Sequence, residues 1–393
     1  MTPPLTRQPF PPHGRQGAGD DPWLYTAVIG NGNVLGCLDA TGSLIQLFYP
    51  HIDEGPHIRT LLMGLQLEGE EHVSWLHDLD WTHALEYHEH SATVHVISTH
   101  SSGVRLERNI AANPTSDVIS TELSVTGGDN RPLRCALVVL ASFDIDQRRG
   151  GTTCYYQAEN EAIIFYGADR YFAMCADAPV TAFAAAPVTT DDDDPLFAAV
   201  SAGIYNANDT VIGDVSGALR LQLDARSHHH LHLCCARSLD DMTALLATVR
   251  AIPPQSPDAI TWWHERYQDR WLRGGSERVR RIYDRSLITL HLLADRATGG
   301  IIAAPEMDAS FRSSGGYGYC WPRDGAFIAH ALDTAGEHEQ ARAFFDWAWR
   351  TQESDGGWYH RYAVNGNLAP SWGLVQFDET GLLIWAAFRH IGM

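Results

Sequence analysis

The chain has 393 residues, 45% of them hydrophobic and 19% charged, and a formal net charge of −20. This length predicts two domains, and the composition excludes a largely disordered chain. The acidic charge argues against nucleic acid or an anionic membrane as a partner, because their phosphate groups would repel it. All 28 basic residues are Arg, so the chain lacks the lysine that Schiff-base chemistry and phosphate loops require.

The N-terminus predicts a disordered tail over residues 1–20, because it is rich in proline and polar side chains. It contains no apolar run of signal-peptide length, and no transmembrane-length apolar stretch follows, so we expect a soluble, cytoplasmic protein. The seven Cys form no Cys-x-x-Cys pair and are odd in number, which favours reduced thiols. We expect no metal and no cofactor.

Residues 21–250 predict a large antiparallel β-sandwich domain, because apolar and polar side chains alternate from Leu24 to about Ser238. The alternation is clear at 92–98, 103–110 and 219–223, and turn signals such as the Gly-Asn-Gly-Asn run at 30–33 separate the strands.

Two polar runs in this region raise the question of a metal site. The four Asp at 191–194 lack the spacing and the glycine of a calcium loop, and we interpret them as a solvated loop. His228, His230 and His232 would share one face of a strand. No suitably spaced carboxylate or cysteine completes a site, so a plain strand is the favoured interpretation.

The pattern becomes helical after Ile252-Pro253-Pro254. A serine followed by a proline at 256–257 has the features of a helix start, and we predict a linker helix over 251–276. An apolar repeat of helical spacing follows from Val279, and further helices are predicted at about 322–335, 337–351 and 373–389. We therefore expect residues 277–393 to be all-helical.

The segment Tyr-Gly-Tyr-Cys-Trp-Pro-Arg-Asp at 317–324 is the most informative stretch. Pro322 in a first helical turn places Arg323 and Asp324 near the positive end of the helix dipole. A guanidinium and a carboxylate can bond to paired sugar hydroxyls while an aromatic ring covers the apolar face of a pyranose. The alternative is that Asp324 only complements the dipole and that Trp321 belongs to the core.

A second stretch at 371–379 places Trp372, Gln376, Asp378 and Glu379 at another helix start. The ordinary interpretation is an N-terminal capping cluster, and the functional one is sugar binding of the same kind as at 317–324. Between the two stretches lies an aromatic loop, Trp358-Tyr359-His360, which suits either packing or a sugar subsite.

Taken in order, these stretches resemble glycoside hydrolase family 15, which contains glucoamylases, glucodextranases and bacterial trehalases. The resemblance rests on residues 299–305, 317–324 and 371–379, and on 29–32, 42–45 and 48–50, which are similar to the start of prokaryotic members.

The resemblance implies a super-β-sandwich, a linker helix and the first part of an (α/α)6 barrel. It also implies that Arg323 and Asp324 bind the terminal glucose of an α-glucan or α-glucoside, and that Trp372 is a subsite tryptophan. The expected substrate-binding residues are Trp321, Arg323, Asp324, Trp372, Gln376 and Asp378, with Trp358, Tyr359 and Glu379 as further candidates.

The family hydrolyses α-glucosidic bonds with inversion, using a general acid in a Trp-Glu-Glu type motif and a general base nearer the C-terminus. The printed sequence reaches Met393 before either motif. We therefore expect it to be an inactive, truncated portion of an exo-hydrolase that releases glucose. The alternatives are an inverting disaccharide phosphorylase and a non-catalytic carbohydrate-binding protein, and the linkage specificity stays open.

Overall fold

A computed structural model describes residues 25–128, 131–145, 150–189, 194–224, 228–251, 256–306, 316–369 and 375–392. The predicted tail at 1–20, Trp372 and the prolines of the predicted boundary lie outside these described residues.

Strands occupy most of the first part of the chain, as the alternating pattern predicts. They are β1 Ala27–Gly30, β2 Leu35–Leu38, β3 Leu44–Phe48, β4 Ile58–Leu67, β5 Ser74–Trp75, β6 Trp81–Tyr87, β7 Val94–His100, β8 Arg105–Ala112, β9 Val118–Thr126, β10 Cys135–Phe143, β11 Thr152–Gln157, β12 Ala162–Gly167, β13 Arg170–Ala176, β14 Val180–Pro187, β15 Thr210–Gly213, β16 Val215–Leu223 and β17 His229–Ala236.

These strands form three sheets in which every named pair is antiparallel. The small sheet has the order β1-β2-β3, a five-stranded sheet has the order β14-β16-β10-β4-β5, and a nine-stranded sheet runs β15-β11-β12-β13-β17-β9-β8-β7-β6. The two larger sheets face each other across one apolar core that includes Leu137 and Val139 from β10 and Leu231 and Leu233 from β17. Two antiparallel sheets that share one core make the predicted sandwich.

Helices follow the strands. A 3-10 turn at Ile52–Glu54 precedes β4, and the helices are α1 Pro195–Ser201, α2 Leu239–Ala251, α3 Ser256–Tyr267, α4 Glu277–Leu292, α5 Pro322–Thr334, α6 His338–Arg350 and α7 Phe377–Ile391. Helices are present in each region after residue 252 where one is predicted, although α3 ends at Tyr267, before the predicted end of the linker helix. α1 lies among the predicted strands and α2 directly after them, and both fall inside the range predicted for the β-sandwich, except for the last residue of α2.

α1 shows why the acidic run at 191–194 was misjudged. Asp194 is only 3% exposed and caps α1, since its Oδ1 accepts hydrogen bonds from the backbone N–H groups of Leu196 and Phe197. A short aspartate side chain before a proline is a preferred helix start. The prediction of a solvated loop was therefore wrong for Asp194, and residues 191–193 lie outside the described residues.

β17 bears out the strand predicted for the histidine run. The rings of His230 and His232 lie parallel at a centroid distance of 6.1 Å, as expected for alternate residues on one strand face. Within the described residues, no group of three His, Cys, Asp or Glu side chains is arranged to hold a metal ion. All seven Cys are free and buried.

The last three helices pack together, with α5 and α7 parallel to each other and α6 antiparallel to them. At one end Arg323 of α5 contacts Asp378 of α7, and at the other end Asp333 of α5 accepts a hydrogen bond of 2.7 Å from His390 of α7. α5 and α7 therefore run in the same direction. α6 begins beside the end of α5, where His338 contacts Asp333, and runs back along it, since Phe344 lies beside Gly325. Among the described residues, no helix is long and apolar enough to cross a bilayer.

The small sheet belongs to two cores at once. Leu38 and Leu47 pack into the sandwich core, whereas Cys37 and Phe48 pack into a second core built mainly from the helices after residue 256. Successive side chains of a strand point to opposite faces, so one short sheet can fill both cores. The helical part is thereby seated directly on the first three strands.

Candidate active site

The site is built on the start of α5. Trp321 precedes the helix with an extended backbone, and Pro322 occupies the first helical position, where its fixed φ suits the helix and its missing N–H leaves no donor unpaired. Arg323 and Asp324 follow in the first turn, as the sequence predicts.

A short β-bridge holds the segment before α5 in place. The backbone groups of Cys320 and Tyr362 exchange two hydrogen bonds of 2.8 and 2.9 Å. Tyr362 is also bridged to Leu368, so residues 361–368 form a turn that lies against residue 320. The start of α5 is therefore fixed to a segment more than 35 residues further along the chain.

Arg323 is the centre of a charged cluster that joins the N-termini of α5 and α7. Its Nη1 lies 3.0 Å from Gln376 Oε1, from Asp378 Oδ2 and from Glu379 Oε1, and its Nη2 lies 3.2 Å from Asp324 Oδ2. Predicted residues that are separated by more than 50 positions thus meet at one guanidinium. We name Arg323, Asp324, Gln376, Asp378 and Glu379 the arginine cluster.

Glu379 is the buried member of the arginine cluster and fixes it to the backbone of α5. Its side chain has no exposed surface, and its Oε2 accepts a 2.5 Å hydrogen bond from the backbone N–H of Arg323. The first N–H groups of a helix lack partners within the helix, so a carboxylate of α7 satisfies one of them for α5. Asp378 and Asp324 remain open to solvent, with side-chain exposures of 54% and 39%.

The cluster shifts the ionisation of its carboxyl groups. Burial raises the pKa of Glu379 to about 7, and the neighbouring carboxylates add to this rise, against the lowering effect of Arg323. By contrast, the hydrogen bond from Arg323 holds the pKa of Asp378 below its usual value. Burial and the bond to Arg323 therefore shift the pKa values of Glu379 and Asp378 in opposite directions.

Aromatic side chains surround the start of α5, but they are mostly packed. Trp321 is 4% exposed and stacks on Tyr317 at a centroid distance of 5.7 Å. Trp358 is also buried, and its Nε1 donates a 2.8 Å hydrogen bond to the carbonyl oxygen of Ala348 in α6. Tyr359 is half-buried, and its backbone N–H donates to the hydroxyl of Tyr362.

Two sequence-family models match the chain. A model described as glucodextranase, domain N, matches residues 38–272, and a model described as glycosyl hydrolases family 15 matches residues 277–382. The chain belongs to glycosyl hydrolase family 15.

Two known proteins are similar to the chain over most of its length. An uncharacterized glycosyl hydrolase of Methanocaldococcus jannaschii is 22% identical over 378 residues, which cover 92% of this chain and 59% of that protein. A bacterial glucoamylase solved with acarbose superposes with a TM-score of 0.77 at 16% identity, over 94% of this chain and 56% of that one. The family 15 chain thus spans a little more than half the length of either protein.

A more distant likeness concerns the fold alone. A family GH92 inverting mannosidase from Bacteroides thetaiotaomicron superposes with a TM-score of 0.52 at 11% identity, covering 93% of this chain and 49% of that one. Strands followed by helices are therefore an arrangement that this family 15 chain shares beyond its own family.

Sequence reasoning missed one residue of this neighbourhood. Arg361 is 1% exposed, and its guanidinium lies 4.7 Å from the ring centre of Tyr319 and 5.6 Å from that of Trp321. A buried guanidinium over aromatic rings is a favourable cation–π arrangement. The only signal in the sequence is an arginine beside the aromatic run at 358–360, which does not reveal the contact with residues 319 and 321.

Proposed function

We propose that this family 15 chain forms the sugar-binding wall of a glucoamylase-type enzyme, which removes glucose from the non-reducing end of an α-glucan or α-glucoside. The observation that carries the proposal is the arginine cluster, in which Arg323 is flanked by two solvent-exposed carboxylates at paired helix N-termini. The likeness to a bacterial glucoamylase supports the same class of substrate.

The exposed atoms of the cluster suit a sugar. Charge-assisted hydrogen bonds from a carboxylate and a guanidinium recognise adjacent hydroxyl groups in a fixed geometry. Such groups are provided by Asp324, Asp378 and the partly exposed Arg323. Glu379 is buried and contacts the guanidinium of Arg323 from inside the protein. We assign Trp372 to an adjoining subsite from the family resemblance.

We assign the three carboxyl groups of the cluster to binding rather than to proton transfer. Each of them contacts the guanidinium of Arg323, and Glu379 has no surface through which it could reach a substrate. Inverting hydrolysis needs a separate acid and base about 6.5 to 9.5 Å apart. In this proposal those two groups are other residues of the enzyme, and the cluster alone binds sugar without hydrolysing it.

The proposed organisation is a sandwich domain over 21–250, a linker over 251–276 that contains α3, and the first part of an (α/α)6 barrel over 277–393. The direction of the last three helices supports it, because α5 and α7 are parallel and α6 is antiparallel to both. Such alternation would place the N-termini of α5 and α7 side by side at the mouth of the barrel.

Calorimetric titration with acarbose tests the proposal. We expect the wild-type chain to bind it and Asp324→Ala to bind about 10 to 100 times more weakly, since a charged hydrogen bond contributes about 1.5 to 3 kcal/mol. The matched control is Asp346→Ala, an exposed aspartate on α6, which should bind as the wild type does. Absence of wild-type binding at millimolar acarbose, or equal affinity of both variants and wild type, would refute the assignment.

A further inference from the structure

A side chain of the sandwich part reaches the turn that supports the site. Asp53 lies in the 3-10 turn after β3, and its two carboxylate oxygens accept hydrogen bonds from consecutive backbone N–H groups, Oδ1 from Val364 at 3.0 Å and Oδ2 from Asn365 at 2.9 Å. A carboxylate that binds two adjacent N–H groups is held in position and orientation. The bond joins residues 311 positions apart.

The turn that carries Asp53 is itself anchored on both sides. Ile52 is buried in the helical core, and Glu54 forms an ion pair of 2.7 Å with Arg170 of β13. The Asp53 side chain is only 12% exposed, and its burial raises its pKa. Asp53 is therefore a fixed point of the sandwich part rather than a mobile surface group.

The segment that Asp53 holds continues directly to the arginine cluster. The carbonyl oxygen of Val364 accepts a 2.8 Å hydrogen bond from Trp347 Nε1, so residue 364 is held through both of its backbone groups. Two residues earlier, Tyr362 exchanges its pair of backbone bonds with Cys320. Cys320 lies three residues before Arg323.

We propose that Asp53 is a positioning residue through which the sandwich part sets the backbone of residues 320–324 and hence the sugar affinity of the arginine cluster. The path runs from Asp53 to Val364 and Asn365, along the turn to Tyr362, and across the bridge to Cys320. The effect on affinity rests on the proposed function, whereas the effect on the backbone does not.

The test compares Asp53→Asn with Asp284→Asn. Asp284 is also buried and also bonds across to the strands, because its Oδ2 is 3.1 Å from His90 Nε2, and its Oδ1 accepts the backbone N–H of Leu272. Both variants disturb contacts between strands and helices by the same chemical change. Only Asp53→Asn disturbs the turn at 361–368.

Two measurements are made on each variant of the 393-residue chain. Hydrogen exchange by mass spectrometry should show at least about tenfold faster exchange in peptides covering 317–324 and 361–366 for Asp53→Asn, with unchanged exchange in β10. Acarbose affinity should fall about tenfold for Asp53→Asn and stay at the wild-type value for Asp284→Asn. Asp53→Ala, which removes both bonds without adding a donor, should behave like Asp53→Asn and replaces it if that variant does not fold.

The outcomes separate the two proposals. Unchanged exchange at 317–324 in the Asp53 variants, or equal effects of Asp53→Asn and Asp284→Asn there, would overturn the positioning role. A third outcome is that the Asp53 variants exchange faster at 317–324 but the wild type does not bind acarbose. It would uphold the positioning of the backbone by Asp53 and refute the proposed sugar site.

Discussion

Replacing Glu379 with Gln should remove a pH dependence of stability from the chain. The Glu379 carboxyl group has no exposed surface, and burial raises its pKa from the ordinary 4.5 to about 7. One pKa unit corresponds to about 1.4 kcal/mol, so this group should account for roughly 3 kcal/mol of pH-dependent stability. A neutral glutamine of similar shape cannot titrate.

The sign follows from proton binding. Between pH 4.5 and about 7 the folded state holds a proton on Glu379 that the unfolded state has released. The contribution of Glu379 is therefore most favourable below pH 4.5, falls as the pH rises, and is fully lost above about pH 7. Relative to Glu379→Gln, the wild type should lose roughly 3 kcal/mol over this range.

The assay is urea unfolding of wild type and Glu379→Gln at half-unit pH steps from 4.5 to 8, monitored by tryptophan fluorescence. It gives the difference in free energy of unfolding between the two proteins at each pH. Asp378→Asn is the control, since that carboxyl group is exposed and its pKa is lowered by Arg323. It should not flatten the profile between pH 5 and 7. Parallel profiles for wild type and Glu379→Gln would refute the reasoning, because they would mean that Arg323 keeps Glu379 ionised throughout.

Two further predictions concern packing. Gly325→Ala should destabilise the fold by about 1 to 3 kcal/mol, because a Cβ there would lie 2.3 Å from the buried ring of Phe344. The control Gly381→Ala, at an exposed helical position with open space, should raise the free energy of unfolding by up to about 1 kcal/mol, and the same urea titrations measure both. Glu337→Ala should cost about 2 kcal/mol, because the side chain is 2% exposed and binds Arg266 and Arg270 beside α3. An unchanged urea midpoint for this variant would show that water replaces the pairing.

The spacing of apolar residues and the helix-start signals are sufficient to predict most of the strands and helices, and to place Arg323 and Asp324 at the start of α5. Alternation predicts half-buried strands such as β7 and β8, in which every second side chain faces a core. Pro322 marks the start of α5 because a first helical turn accepts it. The helix α2 was missed although it carries a recognisable signal. Ser238 accepts the N–H of Asp241 and bonds to its carboxylate, which is a capping arrangement at the predicted end of the strands.

Contacts between distant residues could not be predicted from one sequence. Nothing around Glu379 distinguishes a carboxylate that complements its own helix from one that caps another helix, because both place an acidic residue in a first turn. The bond from Asp53 to Val364 carries no local signal, since it depends on how two separate cores come together. The burial of Trp321 and Trp358 likewise follows from packing between helices rather than from their own neighbours in sequence.

The sheet formed by β1, β2 and β3 has a consequence for the order of events during synthesis. Its strands leave the ribosome early, yet Cys37 and Phe48 belong to a core that consists mostly of helical residues made much later. Until those helices are made, one apolar face of the sheet is exposed to water. Contacts between residues that are far apart in sequence also form slowly. We expect cotranslational folding to stop at a half-covered sheet, which chaperones must shield until α4 to α7 arrive.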